Sequence, residues 1–211
     1  MNTKEVLRYL GYRDEDADEQ IIAQIKLISE EITAEANPKN IFSVWDCKTS
    51  QDTVKLGEIE IKSLDLARHL CGCEKAVLLA ATLGTGADNL LRRYNALDME
   101  KALVAQAVCT VMIEEYCDNV VCEASRSALL EGLYPTSRFS PGYGDFDIVW
   151  QKDILKLLDC EKRIALTLTE GYMLIPSKSV TALVGFSKGK TGNSENKCAR
   201  CKTQCVYRRV D

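Results

Sequence analysis

Arg138-Phe139-Ser140-Pro141-Gly142-Tyr143-Gly144-Asp145 packs a permanent cation, a proline, two glycines and an aromatic ring into one short stretch. Proline fixes one backbone angle, and glycine permits conformations and close approaches that a Cβ would forbid. A chain of that composition can lay its own amides and carbonyls against a ligand. The arginine adds a planar fork of donors suited to a carboxylate, and the tyrosine adds a flat face with a polar tip. The same residue types also build ordinary turns between helices, so composition leaves both readings open.

A second group of reactive residues lies near the C-terminus. Cys198, Cys201 and Cys205 follow a Cys-x2-Cys-x3-Cys spacing, and Cys-x2-Cys is a common half of a zinc or iron–sulfur site. Lys197, Arg200 and Lys202 beside them favour thiolates. A closed tetrahedral zinc site needs a fourth ligand, and this end of the chain has no histidine. Cys71, Cys73, a solvent molecule or another chain are the candidates. Cys71-Gly72-Cys73 is too tight for an easy mutual disulfide and reads as a turn. The remaining cysteines are scattered through apolar stretches, where a reduced thiol behaves as a small hydrophobe. This is the pattern of a reducing compartment, and the cytoplasm is the expected location.

Other candidates carry less chemistry. His69 is the only histidine, and no catalytic neighbour marks a dyad around it. A structural or solvent-facing role is expected. Gly84-Thr85-Gly86 follows an apolar run and loosely matches a dinucleotide fingerprint, but it lacks the third glycine and the spacing. It remains a candidate second wall for a pocket. Asp145 and Asp147 suit a carboxylate role toward a ligand or, more simply, an N-cap before Ile148. Glu131 is ambiguous in the same way.

These residues need elements to hold them. Thr3 to Leu10 reads as a short helix, and Asp18 caps a longer one in which Ile21, Ile22, Ile25, Ile28 and Ile32 recur at helical spacing until Asn37-Pro38. Strands are expected at Ile41–Trp45, Val54–Leu56 and Glu58–Lys62. Ser63 caps a helix over residues 64–70, and Lys75–Gly84 is a buried strand leaving into a glycine turn, with a helix beginning near Ala87. Asp98 caps a long helix to about Leu130, with Leu103, Ala107, Val111, Tyr116, Val120 and Ala124 on its apolar face. A helix follows over Ile148–Leu158, then strands at Ile164–Thr169, Met173–Pro176 and Ser179–Phe186. Strands and helices mix without strict alternation, which predicts an α+β fold: a mixed or antiparallel sheet flanked by helices.

The 211 residues contain no apolar run of about 18, so nothing is expected to cross a membrane. The formal net charge of −4 is uneven. From Lys188 onward seven basic residues face Glu195 and Asp211, a balance of +5, leaving −9 on the rest. An acidic body without a basic, aromatic-interleaved face argues against nucleic-acid binding. Three parts are expected: 1–74, a helical and strand segment packed on the main domain; 75–187, the core; and 188–211, a basic cysteine-rich tail.

Arg138-x-x-Pro141-Gly142-Tyr143, followed by Leu168-Thr169-Glu170-x-x-Met173-x-x-Pro176-x-x-Ser179-Val180, resembles the activation (reactivation) domain of cobalamin-dependent methionine synthase over roughly residues 75–186. Phe139 and Ser140 stand where that family usually has proline and alanine, and Met173 is displaced by one position. The resemblance implies an S-adenosylmethionine-binding activator that supports reductive methylation of cobalamin. The cobalamin would be carried by a separate partner, a corrinoid protein or a methionine synthase core, and a reductant protein would complete the system. Arg138 would then hold the ligand's carboxylate. Ser140 and Gly142 would offer main chain at close range, and Tyr143 would pack on the ligand or fix the loop. The resemblance stops at Phe186, and the cysteine tail departs from it. The competing reading is a non-catalytic metal-binding adaptor that docks on a corrinoid protein without S-adenosylmethionine. An unrelated methyltransferase lacks its usual strand-to-glycine motif here.

Overall fold

The strand β4, Lys75–Thr82, organises the molecule, and its sequence shows why. All its residues after Lys75 are buried, so both faces of the strand must meet apolar partners. Successive side chains of a strand point to opposite faces. Val77 and Leu79 therefore pack with Ala124, Ala128 and Leu133 on one side, while Ala76, Leu78 and Ala80 meet Leu66, Leu70, Phe146 and Ile154 on the other. The computed structural model describes residues 1–12 and 17–189 of the chain.

The strand β1, Lys39–Thr49, runs antiparallel to β4 from Lys39↔Thr82 to Asp46↔Lys75. On the other side of β4 lies β8, Ser179–Ser187, paired from Thr82↔Ser179 to Lys75↔Phe186. The strands β2 (Thr53–Leu56), β3 (Ile59–Lys62) and β5 (Tyr134–Pro135) complete a six-stranded sheet of order β3-β2-β1-β4-β8-β5. Every neighbouring pair is antiparallel. A separate two-stranded ribbon joins β6, Thr167–Leu168, to β7, Leu174–Ile175.

Helices cover both faces, as the α+β expectation required. The helices α1 (Thr3–Tyr9), α2 (Glu19–Glu35), α4 (Thr85–Leu97) and α5 (Met99–Leu130) form one layer. The helices α3 (Leu64–His69), α6 (Trp150–Leu157) and α7 (Cys160–Ile164) form the other. Side-chain oxygens of Asp18, Ser63 and Asp98 accept from the first-turn amides of α2, α3 and α5, so all three expected caps are present. Ile25, Ile28 and Ile32 put one stripe of α2 into the core.

Two expected features change. Ile164–Thr169 is not a strand: α7 runs through Ile164, Ala165 turns left-handed at φ +54°, and extended pairing begins only at Thr167. Ile164 and Leu166 are both buried because they flank a helix end, and that burial imitates a strand's alternation. Leu103 is 61% exposed, because the buried stripe of α5 passes through Ala102 and Ala105 instead.

Candidate functional site

The segment after α5 closes one edge of the sheet. Tyr134 and Pro135 pair with Ser187 and Phe186. Thr136 N–H donates to the Gly185 carbonyl at 2.8 Å, while Gly185 N–H donates back to Thr136 Oγ1 at 2.9 Å. Phe139 and Leu183 exchange two backbone bonds at 2.9 and 2.8 Å. His69 Nε2 lies 2.7 Å from the Ser137 carbonyl oxygen, and its ring sits 4.9 Å from Phe139. The lone histidine thus braces the backbone next to Arg138.

Beyond Phe139 the chain folds on itself. Gly142 N–H donates to the Phe146 carbonyl at 2.7 Å, Phe146 N–H to that of Tyr143 at 3.0 Å, and Tyr143 N–H to that of Ser140 at 3.2 Å. Gly142 holds φ +93°, a value that L side chains rarely adopt. Phe146 is fully buried and stacks on Phe139 at 6.3 Å, while Tyr143 meets Phe139 edge-on at 6.1 Å and stays 57% exposed. Ser140, Gly142 and Tyr143 therefore share one tight loop anchored by a pair of phenylalanines.

Arg138 takes the opposite direction. Its Nη2 donates to Glu114 Oε2 at 2.5 Å and lies 3.2 Å from Asp118 Oδ1, both on α5, while its side chain is only 20% exposed. Burial works against the charge, and Glu114, Cys117 and Asp118 more than reverse that effect. Burial also pushes the adjacent Cys117 thiol up to about 12. The expected cation is thus held at the sheet edge by two carboxylates, on the α5 side, while the next residue enters the α3–α6 core. The four-residue spacing of Glu114 and Asp118 puts both carboxylates on one face of α5, and that spacing is the signal by which the sequence could have revealed them.

Asp145 corrects an expectation. It does not cap the helix that follows; it caps α3, accepting from Ser63 Oγ at 2.5 Å, Leu64 N–H at 2.8 Å and Asp65 N–H at 3.1 Å. Asp147 does support the turn into α6, through Val149 N–H at 3.0 Å. Glu131 pairs with Lys75 at 2.6 Å. The second motif reaches the turn's layer through Gln151 of α6, whose Nε2 donates to the Tyr172 carbonyl at 3.1 Å.

In the Gly84-Thr85-Gly86 turn both glycines face neighbouring backbone. A Cβ on Gly84 would meet the Asn37 carbonyl oxygen at 2.9 Å, and one on Gly86 would strike the Glu35 carbonyl, so both glycines serve the packing of α4 against the end of α2. Cys71 and Cys73 occupy the expected turn. Cys71 is exposed, whereas Cys73 is buried and its thiol is pushed up to about 11, by burial and then by Cys71. Cys198, Cys201 and Cys205 lie outside the described residues. Among the described residues no three metal-ligating side chains converge on one point, and no helix is long and apolar enough to cross a membrane.

A family model described as vitamin B12 dependent methionine synthase, activation domain, matches residues 71–200, which contain both motifs. The chain belongs to this family. Among solved structures, the crystal structure of the MetH reactivation domain bound to AdoHcy aligns with a TM-score of 0.63 at 15% identity. The alignment covers 79% of this chain and 64% of that one, so the activation-domain fold is shared while about a third of the longer relative has no counterpart here. No curated protein matches.

Proposed function

We propose that the chain binds S-adenosylmethionine at the Arg138–Tyr143 turn and supports reductive methylation of cobalamin carried by a separate corrinoid protein. The observation that carries this reading is the family match, which contains the whole turn. The AdoHcy-bound relative of the same fold supports it. Arg138 would hold the ligand's carboxylate in competition with Glu114 and Asp118. Ser140 and Gly142 would offer main chain, and Tyr143 its exposed ring. A sulfonium is already a good leaving group, so the site has to orient and shield rather than move a proton. That suits a turn without an acid–base pair. Residues 75–187 would form the activation-domain core, with 1–74 packed on it and 188–211 as the tail.

Titration calorimetry tests the reading. S-Adenosylmethionine should bind the wild type and bind Arg138→Ala more weakly by about 1.5–3 kcal/mol, roughly 10–150-fold. Methylcobalamin should then form when a corrinoid partner and a reductant are added.

The ion pairing of Arg138 with Glu114 and Asp118 favours one alternative, a metal-binding adaptor that docks on a corrinoid protein and in which this cation is purely structural. No heat with either protein would select it. Both readings include a zinc or iron–sulfur centre on Cys198, Cys201 and Cys205. Elemental analysis of protein purified without oxygen should find metal that is lost when all three are replaced by serine. Metal-free, colourless wild type would end that part.

A further inference from the structure

The two edges of the central sheet are treated differently. Beyond β8 the edge is closed by Tyr134, Pro135, Thr136 and Phe139. Beyond β1 the strand β2 covers only Cys47, Lys48 and Thr49. Among the described residues, β1 from Lys39 to Asp46 has β4 on one side and no strand on the other. Cys47 N–H donates to the Glu74 carbonyl at 2.9 Å, which sets the phase of the ladder. Ile41, Ser43 and Trp45 direct their backbone groups at β4, and Asn40, Phe42 and Val44 direct theirs outward. Among the described residues nothing bonds to the outward backbone groups of those three.

Exposed edges are normally guarded by charge, proline or a bulge placed within the strand. Here Asn40-Ile41-Phe42-Ser43-Val44-Trp45 carries no charge and no proline, and Val44 is 55% exposed. The only charges, Lys39 and Asp46, sit at opposite ends. Antiparallel pairing of the segment with itself therefore keeps like charges apart and carries each lysine to the acidic end of the other strand. Gly57, where an added Cβ would meet the Trp45 ring at 3.0 Å, marks where the β2–β3 hairpin takes over the edge and pairing must stop.

We infer that β1 is a dimerisation edge, with Lys39–Trp45 pairing antiparallel to the same residues of a second copy about Phe42. In this register Phe42 faces Phe42 of the second copy and Asn40 faces Val44. Lys39 lies beside Trp45, a cation–aromatic pairing. The two sheets become one continuous sheet. A single strand pair buries less than the roughly 1,200–2,000 Å² of a stable interface, so the dimer forms reversibly, on the order of micromolar.

Sedimentation analysis of the full chain across a concentration series tests this. Wild type should pass from monomer to dimer, and Val44→Pro should stay monomeric. The Val44 N–H points away from β4, so the proline removes an outward donor and leaves that ladder intact. Val44→Lys should also be monomeric, with an unchanged circular dichroism spectrum. Hydrogen exchange should slow with concentration at Asn40, Phe42 and Val44 alone. A wild type that is monomeric throughout the series overturns the inference. A dimer that survives both substitutions overturns it too, as does one with unprotected amides at these positions.

Discussion

At the residue scale, the turn is held by groups whose chemistry resembles ligand chemistry but whose partners are internal. Asp145 shows this most clearly. The Ser63 hydroxyl, and then the Asp65 and Leu64 amides, hold its carboxyl below the usual carboxylate range. A depressed folded-state pKa stabilises the fold above the unfolded value of about 3.9, and that contribution disappears as pH falls through the folded value. Asp145→Asn cannot titrate. It should lower the melting temperature at pH 7 and flatten the acid limb of the stability curve below about pH 4. Thermal unfolding of both proteins from pH 7 downward checks this; superimposable acid limbs would assign the acid sensitivity elsewhere. Arg138 was legible as a cation in a glycine-rich turn because residue type and spacing are written in the chain. Its pairing with Glu114 and Asp118 was not, because that depends on which face of a helix passes the sheet edge.

At the element scale, the readable parts were those with local causes. Asp18, Ser63 and Asp98 announce helix starts because a side-chain oxygen next to a periodic apolar run satisfies free amides. β4 announces itself as a long apolar run. Ile164 and Leu166 misled because burial at a helix end has the same two-residue spacing as a strand. Gly84-Thr85-Gly86 has a local cause of another kind: its glycines admit a neighbouring backbone. Gly86 gives a sharp test, since it lies within α4 and is not among the positive-φ glycines. Gly to Ala inside a helix ordinarily gains about 0.5–1 kcal/mol. Here the new methyl would meet the Glu35 carbonyl, so Gly86→Ala should instead lose roughly 1–3 kcal/mol. Urea unfolding at equilibrium measures the sign directly, and a gain would mean that α2 and α4 are not in contact there.

At the scale of the whole molecule, the family match begins at residue 71, between strands of one sheet. β4 lies inside the match, while its partner β1 lies outside it. The long helix α5 is likewise inside, but Ile25, Ile28 and Ile32 of α2, which pack in the same cluster, are not. Each buried isoleucine contributes about 1.5–3 kcal/mol, against a net stability of roughly 5–15 kcal/mol for a whole domain. The first 74 residues supply all three isoleucines and one side of the central strand. The fragment 75–189 should therefore keep helical signal yet bind hydrophobic dye and melt without a cooperative transition. Adding the separate 1–74 peptide should restore cooperativity, because the missing surfaces are complementary rather than covalently required. If the fragment alone unfolds cooperatively in calorimetry, the N-terminal segment is an accessory and the sheet can close without β1. A non-cooperative fragment rescued by the peptide would make the turn at Arg138 dependent on residues far outside the family match. Its backbone is pinned to β8, and β8 is held in place by β4.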